Sequence, residues 1–138
     1  QFLEYKILDK FDEKAFAVYK LKGGNFKLIE NAQKGVKKYH TIYLKTSPAN
    51  TDILNPKVVD AFIKETHEKY YEKFKDSFGK ELVGFFTDEP QYYRWATPYT
   101  KMLEKEFNNN GKNLKDGLIY LFVKGKKATL LDTIISRL

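Results

Sequence analysis

Over the first third of the chain, apolar positions recur at every second residue. Leu3, Tyr5 and Ile7 alternate with polar neighbours, Phe16-Val18-Lys20 and Phe26-Leu28 follow, and Thr41-Ile42-Tyr43-Leu44 closes the series. A period of two is that of a β-strand with one face toward a core. Gly23-Gly24-Asn25 is a strong turn signal, and Asp9-Lys10-Phe11-Asp12-Glu13 reads as the first connection. Residues 1–46 are therefore expected to form a small antiparallel β-meander, placed as an insertion or rim decoration on a bigger fold.

The period then changes. Asn55-Pro56 opens a helix, since Asn55 can cap with its side-chain oxygen, Pro56 suits the first helical position and Leu54 can staple onto Val59. Val59, Phe62, Ile63, Thr66, Tyr70, Phe74 and Phe78 recur every three or four residues, leaving Lys64, Glu68, Lys69, Glu72, Lys73 and Lys75 toward water. Gly79 stands where a left-handed C-terminal residue is needed. Leu82-Val83-Gly84-Phe85-Phe86 is apolar on both faces, the pattern of a strand buried in a parallel sheet. The spacing predicts a βαβ unit over residues 47–97 in which Thr41–Thr46 and Leu82–Thr87 run parallel, with the helix across one face.

Residues 98–138 read as mainly helical. A second helix is expected from about Pro98 to Phe107, with Tyr99, Met102, Leu103 and Phe107 on one side, and Asn108-Asn109-Asn110-Gly111 stops it. Leu114–Phe122 and Ala128–Leu138 look like two further helical pieces, with a strand as the alternative for Leu118–Phe122. The fold class is α/β in a single domain.

Composition narrows the chemistry. The chain has 138 residues, 42% of them hydrophobic, enough to build a core without disulfides. It contains no cysteine, which excludes thiol nucleophiles, disulfides and Cys-ligated metals and leaves the compartment open. It starts at Gln1 without a leader pattern, so its ends read as processing boundaries, and no apolar run is long enough to cross a bilayer. The formal charge of +7 is carried by scattered lysines that read as solvated surface. With two histidines and no cysteine, a transition-metal site is not expected, and His67 reads as a packing residue in mid-helix.

In α/β folds the working residues lie on loops after the carboxyl ends of strands. Two such loops are expected here, Ser47–Leu54 with Asn50 and Asp52, and Thr87-Asp88-Glu89-Pro90 with the aromatic stretch Gln91-Tyr92-Tyr93-Arg94-Trp95. Asp88 and Glu89 diverge as adjacent residues, so either would have to work with Asp52 or with a carboxylate outside the chain. Glycoside hydrolysis needs two carboxyls about 5 Å apart for retention or roughly 6.5–9.5 Å apart for inversion. Glu89 is the candidate general acid, because a carboxyl at the end of a buried strand among aromatic rings has its pKa raised by desolvation. The plainer alternative is that Asp88 or Glu89 caps the turn before Pro90. Trp95 and Tyr92 are candidates to stack on sugar rings, or to anchor the loop by packing.

The stretches Asp52-Ile53-Leu54-Asn55-Pro56, Phe62–Tyr71 and Phe85-Phe86-Thr87-Asp88-Glu89-Pro90 resemble bacterial glycoside hydrolases of the α-L-rhamnosidase type, family 106, and the likeness runs over roughly residues 50–122. The resemblance implies a TIM-type barrel, of which this chain would supply a strand-helix-strand slice. Glu89 would match a barrel-mouth acid and Asp52 a sugar contact. It also implies a carbohydrate substrate and admits calcium in the parent enzyme, although no calcium-loop spacing is present. Such a slice lacks a second catalytic carboxylate, so by itself it is expected to be inactive, and its exposed sheet edges favour dimerisation or strand exchange. The competing readings are a non-catalytic carbohydrate-binding or structural module and, third, a basic nucleic-acid binder, for which no recognition motif is present. A membrane partner is not expected.

Overall fold

The computed structural model describes residues 1–47, 51–86 and 96–124. At the centre of its sheet lies β4 (Tyr39–Lys45), paired antiparallel with β1 (Phe2–Leu8) on one side and with β2 (Ala17–Lys22) on the other. β2 turns through Gly23 and Gly24 into β3 (Asn25–Leu28); both glycines have positive φ, 58° and 79°, as a two-residue hairpin that follows strand twist requires. A short β5 (Thr97–Pro98) adds to the free edge of β1, giving the order β3-β2-β4-β1-β5 in a sheet that curls into half a barrel.

The strands of 1–46 are present, but they are not a meander. β4 lies between β1 and β2, which a meander would make neighbours. The reason is burial. β4 places Ile42 (0% exposed) on one face and Tyr39 and Thr41 (5% and 0%) on the other, so it belongs inside the sheet, whereas β1 leaves Ile7 half exposed. The enclosed Thr41 hydroxyl donates to the Lys6 carbonyl at 2.9 Å, which satisfies it.

Cross-strand register puts Leu3 opposite Leu44, Tyr5 and Ala17 opposite Ile42, and Tyr19 opposite Leu28, so these side chains share one face. That face is covered by α3 (Lys101–Asn109) through Phe107, and by α4 (Lys115–Leu118) with its 3-10 extension Ile119–Leu121. Leu114, Leu118 and Ile119 are almost completely enclosed, each such side chain contributing about 1.5–3 kcal/mol. Val18, Ile29 and Tyr39 form a smaller cluster on the opposite face, closed by Phe11, Ala15 and Val36 from the connecting loops.

Pro98 does not start the second helix. It sits in β5 opposite Phe2, an edge position that tolerates its missing N–H, and α3 begins only after Thr100, whose hydroxyl accepts from the Met102 amide at 3.5 Å. Gly111 follows the end of α3 with φ 67°. Leu114–Phe122 is helical rather than extended.

Asn55 caps α1 (Pro56–Ile63) as expected, its side chain accepting from the Lys57 amide at 3.1 Å. The rod continues through a π-helical turn (Lys64–Glu68) into α2 (Lys69–Phe74) and a 3-10 turn (Lys75–Ser77). At the π turn the Thr66 hydroxyl takes the Phe62 carbonyl at 2.5 Å, competing with the backbone ladder. Gly79, at φ 75°, turns the chain back after the rod.

Leu82–Phe86 is not a buried parallel strand. Leu82 makes a single parallel bridge, to Phe78, and Val83 and Phe86 are 90% and 91% exposed. Both edges of β4 are already occupied, so no edge is available for a parallel partner. The expected βαβ unit and the TIM-barrel slice are therefore not formed, and the fold is a mixed α/β one built on an antiparallel half-barrel sheet.

If the contact between α4 and the sheet supplies the core, Leu118→Ala will cost about 2–5 kcal/mol, whereas Met102→Ala, at a side chain already 44% exposed, will cost less than about 1 kcal/mol. Urea denaturation of both variants checks this, and equal costs would contradict it.

Candidate functional site

The loop joining β1 to β2 is shaped by its own aspartate. Asp12 accepts from the Lys14 amide at 2.9 Å through Oδ1, and its carbonyl accepts from Ala15 N at 3.2 Å. Through Oδ2 it accepts the Tyr43 hydroxyl at 2.5 Å, which ties the loop to β4. These bonds, that of Tyr43 foremost, hold the Asp12 carboxyl below its ordinary value of 3.8.

Across from this loop stand α3 and the start of α4, and between them lies a cleft of about 560 Å³. Ala17 and Leu28 from one face of the sheet, and Val18 and Ile29 from the other, line its base. Asp12, Glu13, Glu30 and Glu104 bring four carboxylates to it, Asn108 and Asn113 two amides, and Lys115 the single cation.

Phe11 and Phe16 are the aromatic residues that line the cleft. The Phe16 ring meets the Tyr99 ring edge-on, with centroids 5.2 Å apart, and the Lys115 ammonium lies 4.2 Å from the Phe16 centroid. Lys115 is itself positioned through its backbone: its carbonyl accepts the Tyr19 hydroxyl and its amide donates to Asn113 Oδ1 at 3.0 Å. Tyr99 donates to Glu104 Oε2 at 2.7 Å, and burial, then this bond, push the phenol pKa up. The cleft thus presents several acceptors, of which Asp12, Glu104 and Asn113 are held by hydrogen bonds, an arrangement that suits a ligand rich in hydroxyl or ammonium donors.

Of the residues singled out in the sequence, Asp52 lies at the foot of the helical rod rather than at the cleft. Its carbonyl accepts from the Asn55 amide at 3.1 Å, and its Oδ1 is enclosed without a hydrogen-bond partner. Asp88, Glu89, Tyr92 and Trp95 lie outside the described residues. His67 is exposed rather than packed in a core, its ring near those of Phe62 and Phe85 at 5.6 and 6.5 Å. His40 is held on the sheet: the Tyr5 hydroxyl lies 2.6 Å from its Nδ1, the Phe26 ring packs edge-on against it, and burial lowers its pKa.

The residues that build the cleft left almost no local signal. Asp12 and Tyr43 are 31 positions apart and Phe16 and Lys115 almost a hundred, so only the folded sheet brings them together. Among the described residues, no group of three His, Asp or Glu side chains is placed to hold a metal ion, and no helix is long and apolar enough to cross a membrane.

No family model matches this chain, and neither the curated proteins nor the solved structures contain a match to it.

The lowered pKa of Asp12 carries a stability consequence. Because the folded value lies below the unfolded one, its contribution is complete above pH 3.8 and is lost as the pH falls through the folded value. Tyr43→Phe removes the principal bond, so the Asp12 pKa, followed by carboxyl NMR titration, will rise toward 3.8. An unchanged titration would show that the Tyr43 bond is not the cause.

Proposed function

We propose that the cleft binds a neutral carbohydrate and that the chain is a sugar-recognising part of a glycoside hydrolase. The observation that carries the first half is the lining itself: carboxylates and amides gathered about Phe16, with Asp12, Glu104 and Asn113 held by hydrogen bonds. Its volume of about 560 Å³ falls within the roughly 300–1,000 Å³ of small-molecule sites. Most such sites are largely apolar, but sugar hydroxyls need acceptors in several directions, and each carboxylate here offers two oxygens. Phe16 supplies an apolar surface for the C–H face of a sugar ring, and Lys115 a donor for a ring or hydroxyl oxygen. Four carboxylates against one lysine disfavour a phosphate-bearing ligand, which sets the nucleic-acid reading aside at this site.

Binding is checked by calorimetry on the full chain with a panel of neutral mono- and oligosaccharides. Glu104→Gln and Phe16→Ala are each expected to weaken the best ligand about tenfold or more, roughly 1.4 kcal/mol. A panel that does not bind, or affinity unchanged in both variants, would overturn the assignment.

The hydrolytic half rests on the resemblance carried by Thr87-Asp88-Glu89-Pro90 and the segment around Asp52. In this reading, which concerns a hydrolytic site separate from the cleft that Asp52 does not line, Glu89 protonates the leaving glycosidic oxygen, Asp88, Asp52, Tyr92 and Trp95 contact the glycoside being cleaved, and a carboxylate outside the chain activates water or attacks the anomeric carbon. Replacing Glu89 with Gln in the hydrolase will lower turnover of a glycoside about 10²–10⁴-fold while leaving the melting temperature in place. Turnover close to that of the parent would remove Glu89 from the role.

A further inference from the structure

The helical rod of residues 56–77 buries none of its side chains, although it carries a continuous apolar face. Phe62 is 51% exposed, Tyr70 55% and Tyr71 58%, and Phe85 and Phe86 beyond Gly79 stand at 57% and 91%. Phe85 folds back against the rings of Tyr70 and Phe78, centroids 6.3 and 5.7 Å away, so rod and tail form one aromatic surface. Helices in proteins draw most of their stability from packing an amphipathic face rather than from backbone propensity, and the apolar face of this rod is open.

We propose that this surface is covered by a second copy of the chain, through an isologous contact with the two rods antiparallel. Two observations favour that occupant. The first is area: at roughly 150–250 Å² per aromatic side chain, the exposed fractions of Phe62, Tyr70, Tyr71, Phe74, Phe85 and Phe86 add to roughly 530–880 Å². A standard interface needs about 800 Å² from each partner. The second is charge. The chain carries +7, yet residues 56–86 hold six lysines and six acidic residues, so the excess lies elsewhere. Two strongly basic bodies meet at least cost through a neutral surface. An anionic membrane would select a cationic rod, which this is not.

Thr66 lies near the middle of the apolar face, where a two-fold axis brings a residue close to its own copy. The chain has no cysteine, so single cysteines report on this contact cleanly. Sedimentation equilibrium of the full chain is expected to give a dimer, weakened about a hundredfold by Phe62→Glu and by Phe74→Glu. On oxidation Thr66→Cys is expected to form a covalent dimer, whereas Glu68→Cys, on the charged face, is not. Cross-linking needs no disruptive substitution and so tests the contact even where a glutamate unfolds the rod. A monomer at every concentration, a dimer insensitive to both glutamates, equal cross-linking at both cysteines, or flotation of the chain with anionic vesicles would each overturn the proposal.

Discussion

Tyr19 is wholly enclosed yet carries a hydroxyl, and an enclosed hydroxyl without a partner costs about 1–3 kcal/mol. Its donation to the Lys115 carbonyl removes that cost and pins the start of α4 to the middle of β2. Other placements of α4 leave the phenol unsatisfied, while apolar contact alone, through Leu118 and Ile119, would tolerate some sliding. The bond therefore sets where Lys115 stands, hence what lies over Phe16, and Phe16 in turn meets Tyr99, whose hydroxyl orients Glu104. One buried donor thus connects the core to three groups of the cleft wall.

Local chemistry was readable wherever a residue acts on its own backbone. Asn55 before Pro56, Gly23-Gly24, Gly79 and Gly111 each fulfil a conformational or capping need that neighbours in sequence define, and each was legible. The strand segments were legible for the same reason. Strand order was not, because alternation states that a strand has a buried face but not which strand lies beside it. The apolar run Leu82–Phe86 misled by satisfying the rule for a buried parallel strand while β4 had no free edge to receive it. Pro98 misled likewise: a first-turn proline and an edge-strand proline look identical until the neighbouring strand is known.

The cleft was illegible for a further reason. Its polar residues come from the β1–β2 loop, from the residue after Ile29, and from α3 and α4, and none forms a spaced motif. Asp52, by contrast, was marked by a local pattern and is placed at the rod. Short-range patterns report how a chain turns; a cleft walled by segments a hundred residues apart is visible only once the sheet has closed them together.

Charge sorts the remaining possibilities. The helical rod with its tail, residues 56–86, is neutral, the cleft is acidic, and the +7 excess is carried by the rest of the chain. A cationic ligand suits the cleft walls but is repelled on approach by the molecule's long-range field. An anionic ligand is drawn toward the body and then meets four carboxylates at the cleft. A neutral, hydroxyl-rich ligand is opposed at neither range: its approach does not depend on the overall field, and at short range the acceptors act on its hydroxyls through hydrogen bonds that fall off within a few ångströms. On electrostatic grounds alone, then, a neutral donor-rich ligand, the kind the proposed sugar reading requires, is one for which the overall charge and the cleft walls do not work against each other.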